Sequence, residues 1–177
     1  MSGFSFRGVH SSKFGIYTQD TSRIILPPRR EGKVVIPGRS GYYDGVVGNV
    51  YDERAETIHC AFKCPSGKTV PEVCREIAYW LSGTGRLVYD KEPDKYYTAR
   101  ISGGPPMAQH LKYGEFDLTW NYNPPFALGR TVTQPIASGE NPVDYQGTAE
   151  TPCIIVLRNL SDADVLTVTI TAIKRSV

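Results

Sequence analysis

At 177 residues the chain has room for one ordinary domain, or a domain with a small appendage, and it can bury a core without metal or disulfide staples. Twenty Lys and Arg against 18 Asp and Glu leave a formal charge of +2, too small to imply nucleic-acid binding, and basic residues cluster only at Arg29-Arg30 and Lys174-Arg175. No apolar run approaches the roughly 18 residues that span a bilayer, and the start, Met-Ser-Gly-Phe-Ser-Phe-Arg, lacks a secretory signal's apolar stretch, so folding in a cytoplasm is expected.

Thirteen prolines, 17 glycines and 11 tyrosines, with the turn formers spaced between short alternating runs, predict a mainly β protein. The first block, residues 4–17, holds an alternating Phe4-Ser5-Phe6 run that ends in Gly8, then a second short run to Tyr17. Residues 27–33 open on Pro27-Pro28, which removes two ladder donors and predicts a loop that cannot join a central strand. Val34-Val35-Ile36-Pro37-Gly38 and Gly41-Tyr42-Tyr43-Asp44 read as a short strand, a turn and a further short strand.

One segment breaks the β pattern. Thr69-Val70-Pro71-Glu72 is a capping box with proline in the first turn, where amides lack helical partners. Val73, Ile77, Trp80 and Leu81 then recur at helical spacing, with Cys74 and Ala78 beside them, and Gly83 supplies the stop. One amphipathic helix packed on a sheet is the expectation. After it, residues 86–89 and 96–101 flank a polar loop at 90–95 and predict a hairpin. From 115 to 122, Phe116, Leu118, Trp120 and Tyr122 alternate with Asp117, Thr119 and Asn121, one apolar face against one wet face. The fold class is therefore mainly β (α+β), a β-sandwich or barrel-like domain with one amphipathic helix and a β-hairpin. Trp80 and Trp120 both lie in apolar stripes and are predicted to be buried.

Turn formers interrupt any pattern from 129 to 147, which divides the chain into a domain at 1–128, a linker at 129–147 and a short β appendage, or the start of a second β domain, at 148–177. In the last part, residues 153–157 and 165–173 read as two strands about a turn at 159–162.

The chemical motifs are weak. Pro65-Ser66-Gly67-Lys68-Thr69 matches the end of a P-loop, but Phe62 stands where the first glycine must let backbone amides close round a phosphate. Cys60, Cys64 and Cys74, with His59 adjacent, have the wrong spacing for the common zinc knuckles, and a cysteine on an apolar helix face behaves as a small hydrophobe. Free thiols are the default in a reducing compartment. Gly38-Arg39-Ser40-Gly41 is no nucleophile elbow, because Tyr42 occupies the place of the closing glycine. Of His10, His59 and His110, none lies near a recognisable nucleophile, and His10 in a turn reads as a hydrogen-bonded structural residue. No catalytic, cofactor or metal residue is assigned, and the chain reads as no enzyme, although a triad assembled in space stays open.

The order and spacing of several blocks do carry information. Residues 4–17 and 34–44, Trp80-Leu81-Ser82-Gly83, Pro93-Asp94-Lys95-Tyr96-Tyr97 and Gly114-Glu115-Phe116 together resemble the amino-terminal domain of the distal tail proteins of siphophages, over most of residues 3–128. The stretch from Tyr145 to Pro152 is similar to the start of the family's second, galectin-like domain, of which this chain holds about two strands. It reads as a chain cut short or as a compact member. The resemblance implies a structural virion protein of the tail tip, made in the host cytoplasm and working by assembly. Six copies would close into a ring round an axial channel for DNA, joining the tail tube to the tape-measure and to tail-tip, baseplate or receptor-binding proteins, without cofactor, membrane or sequence-specific nucleic acid. A ring needs head-to-tail interfaces. The residues expected to make them, by exposure and type, are Pro28, Arg29, Arg30, Arg39, Tyr42, Tyr43, Tyr96 and Tyr97. The alternative is a carbohydrate-binding β-sandwich module for a cell-surface glycan, which needs aromatic rings on an open concave face.

Overall fold

The computed structural model describes all residues except Met1, Ser22, Val47, Ser161, 165–166 and 172–177. The chain divides between Ala137 and Ser138 into two compact units.

The first unit is built on one curled antiparallel sheet, a half-barrel, with a helix on its inner side. Its strands are β1 (Phe4–Phe6), β2 (Val9–His10), β3 (Ile16–Thr21), β4 (Lys33–Val34), β5 (Tyr43–Asp44), β6 (Arg54–Lys63), β7 (Thr84–Tyr89), β8 (Tyr97–Ile101), β9 (Met107–His110) and β10 (Tyr113–Tyr122). The sheet runs β2-β1-β7-β8-β10-β6-β3, with β9 also on β10, while β4 and β5 pair only with each other. Residues Arg7 and Gly8, both at positive φ, join β1 to β2, the two-residue turn whose twist suits adjoining strands. Between β2 and β3 a short 3-10 helix (Ser11–Phe14) is capped by His10 at its start and by Gly15 at its end.

Helix α1 (Val70–Leu81) is where the capping box places it. The Glu72 carboxylate accepts from the Thr69 amide at 2.9 Å and from the Thr69 hydroxyl at 2.8 Å. These bonds hold the Glu72 carboxyl below its usual range. Val73, Ile77, Trp80 and Leu81 face the sheet. On β10 the predicted alternation is realised: Phe116, Leu118, Trp120 and Tyr122 all point inward. The core centres on aromatic rings. Phe4 stacks on Trp80 and meets Trp120 edge-on, at centroid distances of 5.7 and 5.6 Å, and Phe14 stacks on Trp80 at 4.7 Å. The expected mainly β, barrel-like domain with one helix and a hairpin, here β7–β8, is the fold observed.

β10 changes partner along its length. Tyr122 to Trp120 pair with Ala99 to Ile101 of β8, whereas Phe116 to Tyr113 pair with Met107 to His110 of β9. The chain leaves the sheet between these strands through Ser102-Gly103-Gly104-Pro105-Pro106, in which glycine and proline favour no ladder.

The second unit, 138–177, has neither helix nor strand among its described residues. Local bonds shape its turns: the Tyr145 hydroxyl donates to the Ala149 carbonyl, and the Asn159 amide donates to the Ala163 carbonyl at 2.8 Å. The strand expected at 153–157 is not formed, and Ile154, Val156 and Leu157 are exposed. Of the strand expected at 165–173, residues 167–171 are not in a strand; the remainder lies outside the described residues. Two apolar runs cannot bury both faces of a two-stranded ribbon, so strand propensity alone does not make them pair.

Candidate functional site

The main departure from the half-barrel is an arm, residues 23–53, inserted between β3 and β6. Its two limbs run antiparallel. Arg29 bridges to Tyr51, the Arg30 amide donates to the Val50 carbonyl at 2.8 Å, the Asp52 amide to the Pro28 carbonyl at 2.9 Å and the Gly45 amide to the Gly32 carbonyl at 2.8 Å. The β4–β5 pair extends this ribbon to Val34 and Tyr43, and the tip carries Ile36, Pro37, Gly38 and Arg39. About eight residues per limb at ~3.3 Å each give a projection of roughly 26 Å.

Charged pairs hold the arm at its root and along its length. Arg23 meets Glu92 at 2.9 Å, while Glu53 accepts from Arg100 at 3.1 Å and from Asn121 at 3.2 Å. Along the ribbon Arg30 pairs with Asp52 at 2.8 Å and Arg29 with Asp44 at 3.4 Å. Amides of Val46 and Gly32 that point at the Asp44 carboxylate, helped by Arg29, keep its pKa below the usual range. Hydrogen bonding to Glu31 raises the Lys33 ammonium. These pairs are solvent-exposed and worth little each, but they set the register of a ribbon without a core of its own.

Several of the arm's apolar side chains are open, although Pro27 is buried and Tyr51 packs edge-on against Phe126. Ile25 is 100% exposed, Val35 70% and Tyr42 54%, and Leu26, Val34, Ile36 and Tyr43 are also open. Lys33 lies over the Tyr42 ring at 5.1 Å and Arg39 over the Tyr43 ring at 4.6 Å.

A second open apolar surface lies on the body. α1 and the 102–106 loop bound a groove of about 460 Å³ lined by Cys74, Ala78, Leu81, Ile101, Pro105 and Met107 among others, with no charged side chain. Neither tryptophan opens into it, since Trp80 is 6% exposed and Trp120 is fully buried. Both tryptophan rings are thus spent on the core.

The chemical motifs come apart in space. His59 faces outward, bonded to Asp117 across the β6–β10 ladder, while Cys60, the next residue on β6, faces inward, so strand alternation separates the two. Cys64 donates its thiol to the Lys68 carbonyl at 3.3 Å, and Lys68 itself pairs with Glu76 at 2.7 Å, so the P-loop fragment is a capped turn. No group of three or more His, Cys, Asp or Glu converges among the described residues. His10 accepts from the Ser12 amide and lies 3.1 Å from Asp90, whose other oxygen accepts from the Gly3 amide at 2.7 Å. It is a structural residue that ties the amino terminus to the β7–β8 turn. The His110 side chain lies outside the described residues.

The family model of the phage tail protein RIFT-related domain matches residues 9–121, well over half of the 177. The chain belongs to this phage tail family. Among solved structures it is similar to the Dit (gp 19.1) protein of SPP1, described as a hub of the adsorption apparatus in phages that infect Gram-positive hosts. That match has a TM-score of 0.57 at 16% identity and covers 73% of this chain and 53% of the SPP1 chain, so the chain spans about half the length of that protein. No curated protein matches. The family match makes this a phage tail protein domain, and the likeness to SPP1 Dit shows a shared fold.

Within this tail domain the eight expected interface residues separate. Pro28, Arg29, Arg30, Arg39, Tyr42 and Tyr43 all lie on the arm and are exposed. Tyr96 is half-buried, bridged to Leu128 and covered by Arg86 at 4.1 Å. Tyr97 is a correction. It is 7% exposed, its ring against Tyr89 and Tyr122, because β8 turns that residue inward. Sequence reasoning also passed over the polar cluster beneath it. Tyr89 donates to Tyr122 at 2.7 Å, Tyr122 donates to the buried Glu56 at 2.9 Å, and Arg54 meets the same carboxylate at 3.2 Å. A signal was present: Glu56 occupies the inward phase of the Ile58, Cys60, Phe62 alternation.

Proposed function

We propose that this chain is a hub subunit of the phage tail tip, which works by closing into a ring, of six copies as the resemblance to distal tail proteins implies. The observation that carries the reading is the arm. It holds a family tail domain's exposed apolar and Arg/Tyr side chains away from that domain's own core, where they are open to contact. A head-to-tail contact uses two different patches on each subunit, and rotation of the right size closes it. The ring would surround an axial channel for DNA and join the tail tube to tape-measure and tail-tip, baseplate or receptor-binding proteins. The exposed arm residues Pro28, Arg29, Arg30, Arg39, Tyr42 and Tyr43 would form its subunit contacts, with residues 138–177 as an appendage to the ring domain.

Light scattering of the whole chain over a concentration series, followed by imaging of any assembled species, tests this. A species near six times 19.6 kDa with a central hole is expected. A strict monomer at all concentrations, both alone and mixed with tail tube protein, would count against the ring.

A further inference from the structure

The arm and the groove are both unfilled, and they lie toward different ends of the same long strand. Glu53, at the arm's root, bonds Asn121 of β10, while Phe116 of β10 lines the groove. The five-residue separation along an extended strand is roughly 17 Å. The groove exists because β10 exchanges β8 for β9, and the Gly-Gly-Pro-Pro loop between them leaves one flank of α1 uncovered.

We infer that the arm tip of one copy, Val34, Val35 and Ile36, seats in the groove between α1 and the 102–106 loop of the next copy. This rests on the ring reading and supplies its missing half, the surface that receives the arm. Two observations favour a second copy of this chain as the occupant. Residues 34–37 carry no charge, and neither does the groove lining, so neither side strands a buried ion. The two patches are different and lie apart along the strand, as a heterologous, closing contact requires.

Cys74 lines the groove and is partly exposed, whereas Cys60 and Cys64 are buried, so a native thiol reports on occupancy. The donor variant is Val35→Cys with Cys74→Ser and Cys153→Ser; the acceptor carries only Cys153→Ser. One of the two bears a mass tag. When they are mixed and treated with a short bismaleimide, the expected product is a donor–acceptor pair linked through position 35 and Cys74, with little donor–donor or acceptor–acceptor product. Adding Ala78→Arg to the acceptor, at an exposed helix position, should abolish that link without changing its melting temperature. Absence of the mixed link overturns the inference. If the unlinked proteins still assemble by light scattering, the ring reading stands and its contact lies elsewhere; if they stay monomeric both alone and mixed with tail tube protein, both fall.

Discussion

Trp80 of α1 donates its indole N–H to the backbone carbonyl of Phe6 on β1, at 2.9 Å and across 74 positions of sequence. This bond and the stacked Phe4 and Phe14 rings fix the helix to the far limb of the half-barrel. Trp80→Phe removes the bond and is expected to cost about 1–3 kcal/mol. Trp80→Ala adds a cavity and is expected to cost ~3–5 kcal/mol. Urea unfolding followed by far-UV circular dichroism measures both, and a cost below that of an ordinary surface substitution would remove Trp80 from the core described here.

Tyr122→Phe breaks the Tyr89–Tyr122–Glu56 chain and leaves the Glu56 carboxylate with one donor fewer. A loss of roughly 1–3 kcal/mol is expected. Equal stability of the variant and the parent in urea would show that the Glu56 carboxylate does not depend on this donor.

Burial raises the Cys60 thiol from 9.0 to about 12 and also raises the Tyr89 and Tyr122 phenols. In each case the neutral form is favoured in the folded state. Their contribution is complete below the unfolded values and is lost as pH rises past ~9 for the thiol and ~10 for the phenols. The urea midpoint should hold at neutral pH and fall steadily from about pH 9 to 12. At pH 8 a thiol reagent should modify exposed Cys153 and spare Cys60 until the chain unfolds.

Gly15 has φ +73°, and a Cβ there would collide with the Lys63 carbonyl, which neighbours the Gly15 carbonyl's bond to the Lys63 amide. Gly15→Ala should destabilise by at least ~1–2 kcal/mol from the backbone conformation alone. Gly38 has a similar φ but open space around it, so Gly38→Ala should cost less. Thermal melts of the two variants side by side give the comparison.

Tyr42 and Tyr97, both expected at an interface, should part in experiment. Tyr42→Ala and Arg30→Ala remove exposed groups and should leave the unfolding midpoint nearly unchanged while weakening assembly. Tyr97→Ala empties a core position and should cost about 3–5 kcal/mol. Light scattering and calorimetry on the same samples separate the two effects, and an assembly-neutral Tyr42→Ala would move the contact off this part of the arm.

What could be read from the residues in order was whatever their neighbours decide. The Thr69/Glu72 cap and the 3.6-residue stripe through Val73, Ile77 and Trp80 specify α1 from within twelve positions, and the two-residue period of Phe116 to Tyr122 specifies β10 and its inward face. The order of such blocks was enough to point to the tail family. Tertiary structure decided the rest. The loop at 27–33 and the turn at 39–44 became one arm through bonds such as that from the Gly32 amide to the Asp44 carboxylate, which joins residues 12 apart. The place of Tyr97 depends on strand β10 bringing Tyr122 beside it. The groove beside α1 comes from a change of partner on β10 that neither β8 nor β9 encodes alone. Caps and periods are local and additive along the chain, whereas burial and ladder partners are properties of segments that meet only once the sheet has curled.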